Sequence, residues 1–229
     1  MNEPVRIALI HALEESVLPI REAFARLWPE AYTFDLLDTS LAVDLAHTGT
    51  LDRAMMDRFQ ILADYALASE GKGGRTQGIL FTCSAFGPAI DAVKARLPVP
   101  VLRPNESAFE AALEAGDRIG LIVTFGPSLA ALKRELVDMA KARGRSLEVN
   151  AVLAEGALAA LKAGDVDLHD RLVADAAGRI GDVDAVVLGQ FSMARAHRAV
   201  ERATHRRVIS TPDSAVVALQ RSLRSDQDR

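Results

Sequence analysis

Cysteine is scarce in this sequence, because only Cys83 occurs among its 229 residues. A single thiol excludes an internal disulfide and any metal site built from several thiolates. Long apolar runs are also missing, and residues 1–4 lack the basic and apolar regions of a signal peptide. We therefore expect a cytoplasmic protein with no membrane partner.

An excess of charge of one sign is equally absent. The 31 acidic and 27 basic residues are interspersed and give a net charge of −4, so the basic surface typical of nucleic-acid binding is not expected. The sequence has no HExxH motif, no paired CxxC motif and no dinucleotide fingerprint after a strand. We expect no nucleic-acid partner, no metal and no cofactor. Assembly into a homo-oligomer is compatible with the sequence.

Short runs rich in Ile, Val and Leu are present at regular intervals and predict buried strands. They cover residues 7–10, 34–37, 79–81, 99–102, 119–123, 147–152, 185–188 and 208–209. Between most of them lie segments with helical spacing, among them residues 14–27, 51–68, 128–142 and 170–177. This alternation indicates βαβ units and parallel sheets.

An internal repeat relates the two halves of the chain. Residues 6–10 (RIALI) resemble residues 118–122 (RIGLI), and residues 101–108 resemble residues 208–215 at nearly the same spacing. By that spacing Gln190 is the counterpart of Cys83, and each follows an apolar strand. The repeat favours a duplication, although any two βα units share an apolar strand followed by a capped helix.

Duplication predicts an α/β protein with two pseudo-symmetric lobes, each a parallel sheet flanked by helices, and an active-site cleft between them. We assign residues 1–97 and 206–229 to lobe 1, which carries Cys83, and residues 98–205 to lobe 2, which carries Gln190. Ligands of such sheets bind beyond the carboxyl ends of the strands. Candidate site residues are therefore those that directly follow strands.

Cys83 is the candidate catalytic residue. Gly87 and Pro88 are placed to open a helix that runs to about Arg96, so the thiol faces a helix N-terminus. The positive end of that helix would favour a thiolate, which acts as a base or nucleophile. The alternative is an inert cysteine that fills space in the core.

Several polar groups are candidates for binding a substrate carboxylate or an enolate-like oxyanion. They are His11 and Ser40 after the first two strands, Ser84 and Ala85 in the turn after Cys83, and Thr124, Gln190 and Ser192 in the second half. Helix capping is the alternative for the hydroxyls, and a histidine with internal hydrogen bonds is the alternative for His11.

Two charged segments are open to more than one interpretation. Asp165, Asp167, His169 and Asp170 could suggest a metal site, but a helix start with acidic residues in its first turn is favoured. The arginines from Arg195 to Arg207 could form an anion-binding patch, but their helical spacing favours a solvated face.

Six motifs together resemble the aspartate/glutamate/hydantoin racemase superfamily, which also includes arylmalonate decarboxylases and maleate cis-trans isomerases. They are residues 7–11 (IALIH), 37–40 (LDTS), 82–87 (TCSAFG), 123–125 (VTF), 187–190 (VLGQ) and 211–214 (TPDS). The resemblance spans nearly the whole chain. It implies flavodoxin-like lobes and a reaction that needs no cofactor.

The resemblance also implies one cysteine in each lobe, with one thiolate removing a proton and the other thiol returning it. Cys83 matches the first cysteine, whereas Gln190 stands in place of the second. An amide cannot exchange a proton near neutral pH. We therefore expect a racemase or isomerase that acts on a small carboxylic acid through the thiolate of Cys83, with Gln190 orienting the substrate. It is either an amino-acid racemase or epimerase, or a cis-trans isomerase in which Cys83 adds to an unsaturated dicarboxylate and leaves after rotation. The alternatives are a decarboxylase of a malonate-like acid and a non-catalytic carboxylate-binding protein.

Overall fold

Strands and helices alternate along the computed structural model, which describes residues 5–227 and the side chains up to residue 224. The strands are β1 (Arg6–His11), β2 (Tyr32–Leu37), β3 (Glu70–Gly71), β4 (Gly74–Phe81), β5 (Val101–Leu102), β6 (Arg118–Val123), β7 (Glu148–Leu153), β8 (Ala185–Leu188) and β9 (Arg207–Ser210). The helices are α1 (Val17–Leu27), α2 (Ser40–Thr48), α3 (Arg53–Ala68), α4 (Gly87–Arg96), α5 (Glu106–Ala115), α6 (Gly126–Ala142), α7 (Ala157–Lys162), α8 (Val166–Ala177), α9 (His197–Thr204) and α10 (Thr211–Gln227). Short 3-10 turns cover Glu14–Ser16, Ser84–Phe86 and Phe191–Ala196.

The chain divides into two units. The first comprises the described residues up to Pro104 together with those from Ala215 onward, and the second comprises Asn105–Ser214. The parallel strands follow the order β2-β1-β4-β5 in the first unit and β7-β6-β8-β9 in the second. The two-residue β3 is a fifth strand of the first sheet and pairs antiparallel with the start of β4. The shared order is the one that the internal repeat predicts, and the α/β fold with two helix-flanked parallel sheets is confirmed.

The unit boundaries differ from those expected at 97/98 and 205/206. Strand β5 pairs with β4 and so belongs to the first unit, whereas β9 pairs with β8 and belongs to the second. Each of these strands is followed by a helix of the other unit, because α5 packs in the core of the second unit and most of α10 belongs to the first. The chain therefore changes unit after each of these two strands.

Continuous apolar stretches form the central strands because helices cover both faces of each sheet. In the first unit, Ile7, Ala8 and Leu9 are fully buried, as are all four residues of β8 in the second. On one face of the first sheet, Phe59 of α3 stacks on Phe81 at the end of β4.

Helix α10 covers the other face of this sheet. A Cβ atom at Gly78 of β4 would lie 3.1 Å from Leu219 of α10, so the helix packs directly on the strand at this glycine. No helix among the described residues is long and apolar enough to cross a membrane.

Candidate functional site

Cys83 lies two residues beyond the end of β4, at the carboxyl edge of the first sheet. It is half-buried and packs against the core that contains Phe81 and Phe86. The 3-10 turn Ser84–Phe86 follows directly, and α4 begins at Gly87 without a side-chain cap. The backbone N–H of Ala85 donates a hydrogen bond to the sulfur. This contact is the local feature that would stabilise a negative charge on Cys83.

The ionisation of Cys83 differs from the sequence-based expectation. Burial raises the pKa of the thiol to about 11, although the hydrogen bond from Ala85 lowers it. The expected thiolate is therefore wrong for the free protein, because desolvation by the packed core outweighs the favourable backbone contact. Near neutral pH the sulfur carries its proton.

His11 makes hydrogen bonds within the first unit, as the alternative to substrate binding has it, and a role in substrate binding stays a prediction. The residue is fully buried, and its Nε2 lies 2.9 Å from Oδ1 of Asp35 while its Nδ1 lies 2.8 Å from Oγ1 of Thr82. An ionised carboxylate only accepts hydrogen bonds, so the Nε2–H of His11 donates to Asp35, while Nδ1 shares the second hydrogen bond with the hydroxyl of Thr82. His11 thus holds Thr82, the neighbour of Cys83, in place.

Asp35 completes this buried network. Arg21 donates through Nη2 to its Oδ2 at 2.5 Å. Burial raises the pKa of Asp35, but the hydrogen bonds from His11 and Arg21 outweigh it, so the pKa lies below its usual value. Asp35 is the charged residue of β2, whose other residues are Tyr, Thr, Phe and Leu, and that exception was the available sequence signal.

Ser40 lies beyond the end of β2 in a charged cluster that was not predicted. Its hydroxyl donates to Oδ1 of Asp38 at 2.5 Å, and Arg58 of α3 donates to both Ser40 and Asp38. Arg58 also donates to Asp44 at 2.6 Å. The pKa of Asp38 is lowered because the hydrogen bonds from Ser40 and Arg58 outweigh the effect of burial. A role for Ser40 in substrate binding stays a prediction.

Gln190 lies two residues beyond the end of β8, as Cys83 does beyond β4. Its Oε1 accepts hydrogen bonds from the backbone nitrogen and the hydroxyl of Thr124 at 2.6 and 2.8 Å, and from the backbone nitrogen of Phe125 at 3.3 Å. The backbone before Gln190 lies close to β6, since a Cβ atom at Gly189 would be 3.0 Å from the carbonyl oxygen of Ile122. Because Oε1 takes up these donors, the Nε2 hydrogens of Gln190 remain to donate elsewhere.

The remaining predicted residues lie in the turns that follow these two positions. Ser84 and Ala85 are half-buried in the turn after Cys83, whereas Ser192 is buried in the turn after Gln190. The hydroxyl of Thr124 is used by Gln190 and is not a free donor for a substrate. Substrate binding by Ser84, Ala85 and Ser192 stays a prediction.

The predicted residues thus form one set in each unit. The carboxyl edge of the first sheet carries His11, Ser40, Cys83, Ser84 and Ala85, and that of the second sheet carries Thr124, Gln190 and Ser192.

The acidic segment that begins at Asp165 caps α8, because the carboxylate of Asp165 accepts a hydrogen bond from the backbone nitrogen of Leu168. Within the described residues no three His, Cys, Asp or Glu side chains group so that they could hold a metal ion.

Comparison with solved structures shows the same fold. A glutamate racemase isoform from Bacillus anthracis matches with a TM-score of 0.71 and 14% identity, over 98% of this chain and 84% of that one. Allantoin racemase from Pseudomonas fluorescens matches with a TM-score of 0.71 and 16% identity over 97% and 92% of the two chains. Aspartate racemase from Picrophilus torridus matches with a TM-score of 0.70 and 12% identity over 96% and 94%.

The sequence itself matches a family model. No curated protein matches it, but the model described as Asp/Glu/Hydantoin racemase matches residues 20–219, which is most of the chain. The family and its structural neighbours are racemases, which are isomerases. The chain therefore belongs to the Asp/Glu/hydantoin racemase family.

Proposed function

We propose that this protein is a cofactor-independent isomerase that acts on a small carboxylic acid, with Cys83 as the group that transfers the proton. The observation that carries the proposal is the half-buried sulfur at the carboxyl edge of β4, which accepts a hydrogen bond from the backbone of Ala85. The named activities of the structural neighbours, glutamate, aspartate and allantoin racemases, support a small polar substrate. A cytoplasmic location is part of the same proposal.

The thiol of Cys83 first gives up its own proton to water, and the resulting thiolate then removes the proton from the carbon next to the substrate carboxylate. The electron pair of the broken C–H bond moves onto the carboxylate and forms an enolate, while the sulfur becomes a thiol. Backbone N–H groups of the turn Ser84–Phe86 are placed at the start of α4, where they would stabilise the new oxyanion.

The returning proton distinguishes this protein from a two-thiol racemase. Cys83 can return its proton only to the face from which it came, and the amide of Gln190 has no proton that it can give up near neutral pH. Inversion therefore needs a proton from water on the second face. The Nε2–H groups of Gln190 serve to orient the substrate through hydrogen bonds to its oxygens.

Decarboxylation of a malonate-like acid is the second candidate, and the raised pKa of Cys83 favours it. In this reaction the C–C bond to one carboxylate breaks, CO2 leaves, and the electron pair remains as an enolate. The protonated thiol of Cys83 then donates its proton to that carbon. This order of events starts from the protonated sulfur that the free protein holds.

The two reactions are separable by one set of assays. Wild-type protein is incubated in heavy water with amino acids, hydantoins and dicarboxylates, and with malonates, while NMR follows α-proton exchange and a coupled assay follows CO2. In whichever assay the wild type shows turnover, we expect the rate to fall at least a hundredfold in Cys83→Ala and Cys83→Ser. Ser146→Ala, which changes an exposed loop residue, is the control.

Three results would revise the proposal. Undiminished turnover by Cys83→Ala removes Cys83 from the mechanism. CO2 release without exchange assigns the decarboxylase. Saturable carboxylate binding with no turnover of any substrate leaves a carboxylate-binding protein. The unfolding midpoint of each variant shows whether a loss of activity is only a loss of fold.

A further inference from the structure

An open groove of about 660 Å³ lies in the second unit, lined by α8, α9 and the 3-10 turn that precedes α9. Alanines of both helices, Ala174 and Ala199 among them, line it with short side chains. The groove uses none of the residues assigned to the proposed reaction. Its lining includes Arg195, Arg198 and Arg202, whose helical spacing is typical of a solvated face.

One edge of the groove is held in place by internal contacts. Arg195 donates through Nε to Oδ1 of Asp170 at 2.9 Å. The same oxygen lies 2.8 Å from Nδ1 of His169, which is fully buried. Asp170 therefore neutralises Arg195 and is itself anchored to the interior of the unit.

Three other arginines line the groove without such a partner. Arg171 of α8 and Arg198 and Arg202 of α9 are exposed. None of their guanidinium groups has a hydrogen bond or ion pair with another residue in the part of the chain that the structure describes. Arg198 and Arg202 are four residues apart, which places two like charges on one face of α9, and such a pair is unfavourable in an isolated helix.

Two carboxylates also line the groove and work against anion binding. Asp167 and Asp175 of α8 are exposed and form no ion pair among the described residues. Unlike Asp170, they do not neutralise an arginine by direct contact. The guanidinium groups outnumber them, and a guanidinium matches the oxygen atoms of a carboxylate or phosphate with two parallel hydrogen bonds.

We propose that this groove binds a small oxyanion, through Arg198 and Arg202 of α9 with Arg171 of α8 opposite. The recognised chemistry is a carboxylate or phosphate group, whose negative charge offsets the repulsion between the arginines. Asp167 and Asp175 limit the affinity by repelling the same group. The site is independent of Cys83.

Inorganic phosphate and malonate are the two probes, titrated into the full chain by calorimetry at constant ionic strength. We expect saturable binding that falls at least tenfold in the double variant Arg198→Gln/Arg202→Gln. Arg134→Gln, which changes an exposed arginine on α6 of the same unit, should bind as the wild type does. The preferred probe shows whether the natural group is a phosphate or a carboxylate.

A second variant gives an effect of opposite sign. Asp167→Asn/Asp175→Asn should bind the same probe several-fold more tightly, because the repelling carboxylates are gone. Because malonate could also bind at Cys83, binding is assigned to the groove when it depends on Arg198 and Arg202. The proposal is overturned if the double arginine variant binds both probes as tightly as Arg134→Gln does, or if the wild type shows no saturable binding of either probe.

Discussion

The side-chain oxygen of Gln190 lies 2.6 Å from the backbone nitrogen of Thr124 and accepts its hydrogen bond. This contact joins the ends of two neighbouring strands, β8 and β6. It directs the Oε1 atom of Gln190 toward Thr124, so the Nε2–H groups at this position, the counterpart of Cys83, have a fixed orientation. A thiol at that position would exchange protons, whereas the amide can only bind.

Gln190→Ala tests the structural part of this arrangement. The change leaves the backbone nitrogen and hydroxyl of Thr124 without their acceptor, and unsatisfied buried donors cost about 1–3 kcal/mol. We expect the free energy of unfolding in urea to fall by about that amount. Gln190→Glu keeps an acceptor at the same place and should lose less. Equal losses in the two variants would show that the contact with Thr124 contributes little.

Gln190→Cys tests the chemical part. A second thiol beyond β8 supplies a proton donor that the amide lacks, so we expect inversion of a substrate carbon to become faster relative to α-proton exchange. Chiral chromatography of the product and NMR in heavy water measure the two rates. Gln190→Ser, which has no thiol, is the matched control. An unchanged ratio in Gln190→Cys would show that this position does not reach the reacting carbon.

The raised pKa of Cys83 predicts how its reactivity depends on pH. With a pKa of about 11, the thiolate fraction and the rate of alkylation by iodoacetamide rise about tenfold for each pH unit from 7 to 10. A plateau that begins near pH 8 would contradict this value. A bound carboxylate that slows alkylation would place the sulfur within reach of a ligand.

The same shift predicts a loss of stability in alkali. The pKa of Cys83 is higher in the folded protein than the usual value of 9.0, so its contribution is fully present below pH 9 and is lost as the pH rises toward 11. Unfolding in urea at pH 8 and pH 10.5 measures this loss. Cys83→Ala should show a smaller decrease over this range, and an identical decrease in both proteins would refute the assignment.

Asp35→Asn tests the network behind Cys83. The pKa of Asp35 is lowered, so its stabilisation is present above the usual pKa of 3.8 and is lost as the pH falls below it. We expect the variant to unfold more easily than the wild type at pH 7, by about 1–3 kcal/mol, and by less at pH 3. Asp57→Asn, at an exposed ion pair with Arg53, is the control and should change little.

The strands were predictable because their apolar runs are local in sequence. All eight predicted runs lie in or overlap observed strands, from β1 to β9, and among residues 5–227 the two-residue β3 is the one strand that was missed. The unit boundaries were less predictable, because they depend on which distant strand β5 and β9 pair with. The local sequence of β5 or β9 does not determine which distant strand it pairs with.

The site was predictable in position but less so in chemistry. The placement of Cys83 and Gln190 beyond equivalent strands follows from the repeat. The protonation of Cys83 depends on Phe81 and Phe86 and the core around them. The partners of His11 are Asp35 of β2 and Thr82, the residue after β4. These contacts arise from tertiary packing, so a rule based on the helix N-terminus alone gave the wrong ionisation state.

The passage of the chain from β9 into α10 has a consequence for biosynthesis. Leu219 of α10 packs on Gly78 of β4, so the first sheet lacks this cover until residues more than a hundred positions later have been translated. Meanwhile α5 and the strands β6 to β9 are already available to one another. We expect the nascent polypeptide to complete the second unit before the first, and chaperones to meet an exposed face of β1 and β4 during that interval.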